Sequence, residues 1–222
     1  MMILKRPRFA DVATIGDLLT CLGHVPAKRV LFHPSPGTAT EKDLLTHELP
    51  CELIDHTLVE KPLGLYESIL AGTMLYFIET FLENNDFGIT VGGNAPYRIR
   101  RGTVRKPDAT FVSWDKIPDG LSPSIQIAKF APDLSIEVLN PGNTKTELLR
   151  KREEFFGVGT KLYWEIDPRQ QTAHVFTSPR ESTHITSSGI LDGCEVLPGF
   201  RLSLRELFAR ARVSPPQPRK PS

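Results

Sequence analysis

The spacing of apolar residues alternates between a helical period and a two-residue period along this chain, and these periods predict its elements. Residues 66–85 carry apolar side chains on one broad helical face, which predicts a helix that packs against a sheet. Residues 51–61 form two short alternating runs around Asp55 and His56, a pattern typical of a tight hairpin. Further strands are predicted at 88–93, 97–102, 103–114, 133–139, 161–167 and 172–178, with a second long helix at 144–159.

The order of these elements predicts an α/β fold in which a central mixed β-sheet is flanked by helices. Two further helical patterns precede the sheet, and Thr40 with Asp43 can form a capping box for the second of them. Prolines and the lack of apolar periodicity predict disorder at the C-terminal end. We therefore predict an N-terminal helical extension (1–39), one domain (40–210) and a basic, proline-rich tail (211–222).

The chain has 27 lysine and arginine residues against 26 aspartate and glutamate residues, so no overall positive field indicates nucleic-acid binding. A local basic cluster lies within one predicted hairpin and comprises Arg98, Arg100, Arg101, Arg105 and Lys106. Such a cluster can contact a DNA backbone, but charge also protects a solvated edge strand from pairing with another chain. The sequence supports both interpretations equally.

The three cysteines, Cys21, Cys51 and Cys194, lie far apart, which argues against a zinc site or a disulfide framework. No segment approaches the ~20 consecutive apolar residues of a membrane span. We therefore expect a soluble, cytoplasmic protein without a membrane partner.

Two carboxylates occupy positions in strands that are otherwise apolar. Asp108 begins a run in which Ala109 and Phe111 suit a core face, although Pro-Asp is also a common turn pair. Glu137 lies inside an apolar strand, where an unpaired carboxylate is costly to bury. If the two strands are neighbours, both carboxylates meet at one point of the sheet and suit Mg²⁺, which prefers hard oxygen ligands.

The second long helix can bring a positive charge to these carboxylates. Lys151 lies at the edge of an apolar face formed by residues 148, 149, 155 and 156, so its ammonium can extend toward them. An exposed Lys151 that pairs with Glu147 one turn earlier fits the spacing equally well.

Five motifs resemble, in the same order, those of the Uma-type restriction-endonuclease family, which is placed in the PD-(D/E)XK nuclease superfamily. They are CELIDHTLVEKP, VRKPDATFVSWDKIP, PDLSIEVLNPGNT, ELLRKREEFFGVGTKLYWEIDP and LDGCEVLPGFRLSLRELF. The resemblance runs from about Thr40 to Phe208. It implies a restriction-endonuclease-like core, with a helix on each face of a central mixed sheet, followed by a C-terminal strand and helix.

The resemblance also implies roles for particular residues. Pro107 and Asp108 match the PD pair of the superfamily, and Glu137 matches its second acidic residue. The lysine expected two positions later is replaced by Leu139. Lys151 matches the lysine that this family carries on the following helix.

The third carboxylate of the site is left open by the resemblance. Glu52 matches an acidic residue typical of the family, whereas Glu67 lies roughly where many members of the superfamily have one. We expect one of the two, rather than both, to face the site. The chain departs from the family pattern at Cys51, His56 and Glu147.

Together these features predict Mg²⁺-dependent hydrolysis of DNA phosphodiester bonds, with Mn²⁺ as a second usable metal. Asp108 and Glu137 would bind the metal. Lys151 would act on the attacking water or the transition state, and Glu52 would complete the catalytic set. The basic hairpin would contact the DNA backbone, and the chain could act as a homodimer. Two alternatives are a binding module that keeps the fold without turnover and an enzyme that hydrolyses a small phosphorylated molecule.

Overall fold

A computed structural model describes residues 9–62 and 64–213. The helices are α1 (Ile15–Cys21), α2 (Glu41–Thr46), α3 (Leu65–Leu82), α4 (Lys145–Gly157) and α5 (Leu204–Arg210). Within the described residues, none of them is long and apolar enough to cross a membrane. The strands are β1 (Cys51–Ile54), β2 (Thr57–Glu60), β3 (Gly88–Val91), β4 (Tyr97–Arg100), β5 (Thr103–Arg105), β6 (Ala109–Ser113), β7 (Leu134–Val138), β8 (Leu162–Asp167), β9 (Thr172–Phe176), β10 (Ser182–Ile185), β11 (Ile190–Asp192) and β12 (Arg201–Ser203).

The largest sheet has six strands in the order β10-β9-β8-β7-β6-β3. The neighbours β7 and β8 are parallel, and the other neighbouring strands in this sheet are antiparallel. α4 lies between β7 and β8 in the chain, as a crossover between parallel strands requires. The sheet is therefore mixed, which confirms the predicted fold class.

One face of this sheet is covered by α3. Leu70 and Met74 of α3 belong to the same buried cluster as Phe111 of β6 and Ile136 of β7, and α5 completes this cluster. Apolar side chains spaced three and four residues apart put one face of α3 on the sheet, as the sequence predicts.

The opposite face is covered by α4. Phe155 of α4 packs against Tyr163 of β8, with ring centroids 6.0 Å apart. Side chains alternate along β7, so Ile136 faces α3 whereas Ser135 and Glu137 face α4. A helix therefore lies on each face of the mixed sheet, and Glu137 lies beneath α4.

A second sheet has the order β2-β1-β5-β4. The sequence predicts one continuous strand at 103–114, but the structure divides it into β5 and β6, which belong to different sheets. Pro107 lies at this division, and because it has no N–H it cannot donate to a strand ladder. Asp108 is therefore placed where the chain passes from one sheet to the other.

The predicted hairpin at 51–61 is confirmed. β1 and β2 pair antiparallel and are joined by Asp55 and His56, whose φ angles are 46° and 57°. Positive φ at both central residues is what a two-residue type I′ turn requires. α1 contributes to a buried cluster that joins Leu18 to Ile54 of this hairpin, so the N-terminal extension is packed on the second sheet.

Three helices begin at a threonine that caps the backbone. Thr14, Thr40 and Thr144 each form a capping box with the acidic residue three positions later. The box predicted for Thr40 and Asp43 is therefore confirmed.

The C-terminal boundary differs from the prediction. Ala211, the predicted first residue of the tail, is fully buried after α5 and belongs to the main core. The predicted tail therefore starts too early. The tail residues 214–222, like residues 1–8 of the predicted extension, lie outside the described residues.

Candidate active site

A cavity of about 160 Å³ lies between the two sheets, α3 and α4. Its wall combines distant parts of the sequence, among them the segment after β2, the start of β6, the end of β7 and the first turns of α3 and α4. The ionisable residues that line it are Arg29, Glu52, Lys61, Glu67, Asp108, Glu137, Glu147 and Lys151. Such a concentration of charge in a partly enclosed cavity is typical of functional sites.

Asp108 lies immediately before β6 and is held to β7 by both its backbone and its side chain. Its N–H donates to the Ile136 carbonyl at 3.1 Å, and its Oδ2 accepts from the Val138 N–H at 2.8 Å. Its Oδ1 lies 2.7 Å from Lys61 Nζ, which also donates to the Lys106 carbonyl at 2.6 Å. One oxygen of Asp108 is thus bound by a main-chain N–H and the other by an ammonium group.

Glu137 is buried on β7, with 7% of the residue exposed. Its Oε1 forms an ion pair with Lys151 Nζ at 2.6 Å, and no other donor among the described residues binds this oxygen. Burial raises the pKa of Glu137 to about 7, because the lowering by Lys151 is smaller and Asp108 raises the pKa further. The ionised carboxylate is therefore incompletely stabilised, and a cation placed beside it would favour it.

Lys151 extends from the inner face of α4 and is 5% exposed. Its Nζ lies 2.6 Å from Glu137 Oε1 and 2.9 Å from Glu52 Oε1. Burial opposes protonation, but Glu137 and Glu52 outweigh it and raise the pKa of Lys151 above its usual value. The structure excludes the alternative of an exposed Lys151 that pairs with Glu147, because Glu147 binds Arg29 instead.

Glu52 uses both of its oxygens to bind donors. Oε1 accepts from the Lys106 N–H at 2.8 Å and contacts Lys151, while Oε2 accepts from Arg105 Nη1 at 2.8 Å. Burial alone would raise the pKa of this carboxyl group, but Lys151 and Arg105 hold it well below the usual range. This set of partners suits a residue that positions Lys151 better than it suits a metal ligand.

Glu67 also lines the cavity, so the expectation that only one of Glu52 and Glu67 faces the site is wrong. Glu67 lies in the first turn of α3, and its Oε1 accepts from Asn140 Nδ2 at 3.0 Å. Asn140 is neutral and does not compensate the negative charge of Glu67. Glu52, in contrast, is compensated by two cations, Arg105 and Lys151. Of the two, Glu67 is the better candidate for a third metal ligand.

The inner face of α4 is charged where the sequence predicts an apolar face. Leu148 and Leu149 are only half-buried. The buried residues of this helix are Glu147, Arg150, Lys151, Glu154 and Phe155. Each of the four buried charges has an oppositely charged partner, which offsets the cost of removing it from water.

The basic hairpin is less available to DNA than the sequence predicts. Arg105 is fully buried between two glutamates, and this corrects its predicted place among the DNA-contacting residues. Arg98 and Arg100 form ion pairs with carboxylates of the same chain, whereas Arg101 is exposed and Lys106 is half-buried. DNA contact stays a prediction for these four.

The sequence predicts no role for Lys61 or Arg29, but both line the cavity. Arg29 makes two hydrogen bonds to Glu147, at 2.9 and 2.8 Å, so the N-terminal extension contributes to the cavity wall. Lys61 follows β2 and precedes Pro62, a position typical of an exposed strand end. Its contact with Asp108 arises from the fold, and no local pattern in the sequence could have revealed it.

Asp108 and Glu137 are the residues best suited to bind a divalent cation. Within the described part of the chain, no group of three or more His, Cys, Asp or Glu side chains is arranged as a metal cluster. Mg²⁺, however, is commonly bound by one or two carboxylates and completes its coordination with water and substrate phosphates. The buried Glu137 Oε1 has the Lys151 ammonium beside it and no hydrogen bond from the described residues, so a cation that joined or replaced the ammonium would find a hard oxygen ligand there.

Comparisons with known proteins agree with this fold. Residues 41–205 match a family, Uma2, described as "Putative restriction endonuclease". The chain is also similar to the crystal structure of a protein from Anabaena variabilis, described as a putative nuclease belonging to DUF820. That similarity has a TM-score of 0.66 and 20% identity, and it covers 78% of this chain and 99% of the other. No curated protein matches the sequence. Because the family match spans most of the chain, the protein belongs to the Uma2 family.

Proposed function

We propose that this protein is a metal-dependent endonuclease that hydrolyses phosphodiester bonds in DNA. The observation that carries the proposal is the meeting of Asp108, Glu137 and Lys151 at one cavity, although 43 positions separate the first from the last. A buried carboxylate with a raised pKa, beside a second carboxylate and a protonated lysine, is a costly arrangement for stability alone.

Asp108 and Glu137 would hold the metal ion, with Glu67 as a third ligand. Bound there, Mg²⁺ or Mn²⁺ would polarise the scissile phosphate and lower the pKa of the attacking water. The Val138 N–H fixes the orientation of Asp108, so its carboxylate is held in place before a metal binds.

Lys151 would orient the attacking water or stabilise the negative charge that develops on the phosphate. It can act only if its ammonium stays protonated and in place, and Glu52 provides for both. Glu52 is itself held by Arg105 and the Lys106 N–H, so it would act as a positioning residue for Lys151. Arg101 and Lys106 would contribute DNA backbone contacts that do not depend on sequence.

A cleavage assay tests the proposal. Supercoiled plasmid, linear duplex and single-stranded DNA are incubated with the protein in Mg²⁺, Mn²⁺ or EDTA. We expect cleavage in the presence of either metal and none in EDTA. The Asp108→Asn variant should lose both cleavage and the rise in melting temperature that Mn²⁺ causes by mass action, because it removes a charged ligand.

The matched control is Asp119→Asn, which removes the same charge from an exposed loop residue. It should keep both properties. DNA binding without cleavage, together with a melting temperature that Mn²⁺ does not change, would contradict the proposal and favour a binding module that keeps the fold.

A further inference from the structure

Lys61 lines the cavity and contacts Asp108, one of the two candidate metal ligands, which suggests a role in the proposed reaction. We propose that Lys61 is an internal counter-cation: it neutralises Asp108 when no divalent cation is bound, and it is released to contact a substrate phosphate when one binds. This inference rests on the proposed nuclease function, which supplies both the divalent cation and the phosphate.

The first argument is competition for one oxygen atom. Asp108 Oδ2 accepts from the main-chain Val138 N–H at 2.8 Å, which is fixed in β7, whereas the partner of Oδ1 is a side chain that can move. Lys61 Nζ lies 2.7 Å from that same Oδ1. A divalent cation and an ammonium group at the same oxygen repel each other, so metal binding at Oδ1 weakens the Lys61 contact and favours its release.

The second argument compares the two lysines of the cavity. Lys151 lies between Glu137 and Glu52, so it keeps one carboxylate partner even if Glu137 turns to a metal ion. Lys61 has one carboxylate within ion-pair distance among the described residues, Asp108, besides the neutral carbonyl of Lys106. Lys61 is therefore the lysine that loses its contacting carboxylate when metal binds, and it keeps only the longer-range attraction of Glu52 and Glu137.

The third argument concerns where the released ammonium can go. The backbone of Lys61 is fixed, because its N–H donates to the Pro50 carbonyl at 2.8 Å. The side chain lines the cavity and is 8% exposed, so its head group stays near the metal position. An ammonium there without a contacting carboxylate would attract an anion, and a phosphate of the substrate carries the matching charge.

The first experiment measures Mn²⁺ binding without DNA by calorimetry. Lys61→Met removes the competing charge and keeps most of the apolar length, so we expect Mn²⁺ to bind about tenfold more tightly, the scale on which groups beside metal ligands change affinity. Lys61→Arg keeps the charge and should bind Mn²⁺ as the parental protein does. Lys161→Met is the control for net charge, because Lys161 is 70% exposed and does not line the cavity.

The second experiment measures binding of a duplex oligonucleotide at several salt concentrations. In Ca²⁺, which takes the same oxygen ligands, Lys61→Met should weaken binding and reduce the slope of log K against log salt by about 1, as expected for one lost phosphate contact. In EDTA the slope should match that of the parental protein, because Lys61 is then held by Asp108. An equal loss in both conditions would overturn the release step.

If Lys61→Met does not fold, a measurement on the parental protein tests whether metal binding releases Lys61. Amine-selective acetylation, read by mass spectrometry, should label Lys61 faster in Mn²⁺ than in EDTA, while Lys161 reacts equally in both. Unchanged labelling of Lys61, or unchanged Mn²⁺ affinity in a folded Lys61→Met, overturns this inference even if the protein cleaves DNA. Conversely, Mn²⁺ competition without any DNA binding would leave Lys61 as a counter-cation and overturn the proposed nuclease function and the phosphate contact.

Discussion

Replacing Glu137 by glutamine should change how the stability of the metal-free protein depends on pH. The pKa of Glu137 rises from 4.5 to about 7 on folding, so the folded state disfavours ionisation of this group. Its contribution to stability is therefore most favourable below pH 4.5 and is lost as the pH rises through about 7. Glutamine keeps the size of the side chain but cannot ionise, so the variant should lack this loss.

The magnitude follows from the two pKa values. Between pH 5 and pH 8, linkage gives a loss of about 2.5 kcal/mol in the unfolding free energy of the parental protein relative to Glu137→Gln. For a chain of this size, this loss corresponds to roughly 5–10 °C in melting temperature. The melting temperatures of Glu137→Gln and the parental protein should therefore move apart by this amount between pH 5 and pH 8. Lys151 stays protonated over this range because Glu52 still faces it, so it adds no titration of its own.

The assay is urea denaturation in EDTA at intervals between pH 5 and pH 8. Groups that titrate in both proteins cancel in the difference, and Glu195→Gln, at an exposed position, controls for the loss of one charge. If the difference between Glu137→Gln and the parental protein stays constant to within about 0.5 kcal/mol across this range, the argument that burial dominates the ionisation of Glu137 is refuted.

Two further predictions concern the charges around this carboxylate. Lys151→Met should still be stabilised by Mn²⁺ in melting curves, but its rate of plasmid nicking should fall by about 10²–10³, as for other single electrostatic contributors; nicking at the parental rate would show that Lys151 is only structural. Arg105→Met should lower the unfolding free energy by about 3–5 kcal/mol in urea titrations, because it leaves Glu52 and Glu154 buried with one cation fewer; a loss below about 1 kcal/mol would contradict the buried network.

The fold could be predicted because its signals are local in the sequence. The turn at Asp55 and His56, the capping box at Thr40 and the apolar face of α3 each depend on residues within a few positions of one another. The predicted strand at 103–114 lacks the division at Pro107, although a proline inside a predicted strand is a local signal against a continuous ladder.

The candidate site could be predicted only in part. Asp108 and Glu137 can be identified as candidate site residues because a carboxylate is unusual in an apolar strand. The burial of Lys61 and Arg105 could not be predicted, because a charged side chain is buried only when the fold supplies its partner. For Lys61 that partner is Asp108, which lies 47 positions away in the chain. The periodic spacing of residues cannot indicate a contact between positions so far apart.

The charged inner face of α4 constrains how this sequence can change. An apolar helix face tolerates exchange of one hydrocarbon side chain for another of similar volume. A face of matched charges does not, because a single replacement leaves its buried partners with one counter-ion fewer. Neutral drift at these positions must therefore pass through paired or triple substitutions. Relatives that have lost Arg105 should also have lost Glu154, so the two positions should vary together even if neither takes part in the chemistry.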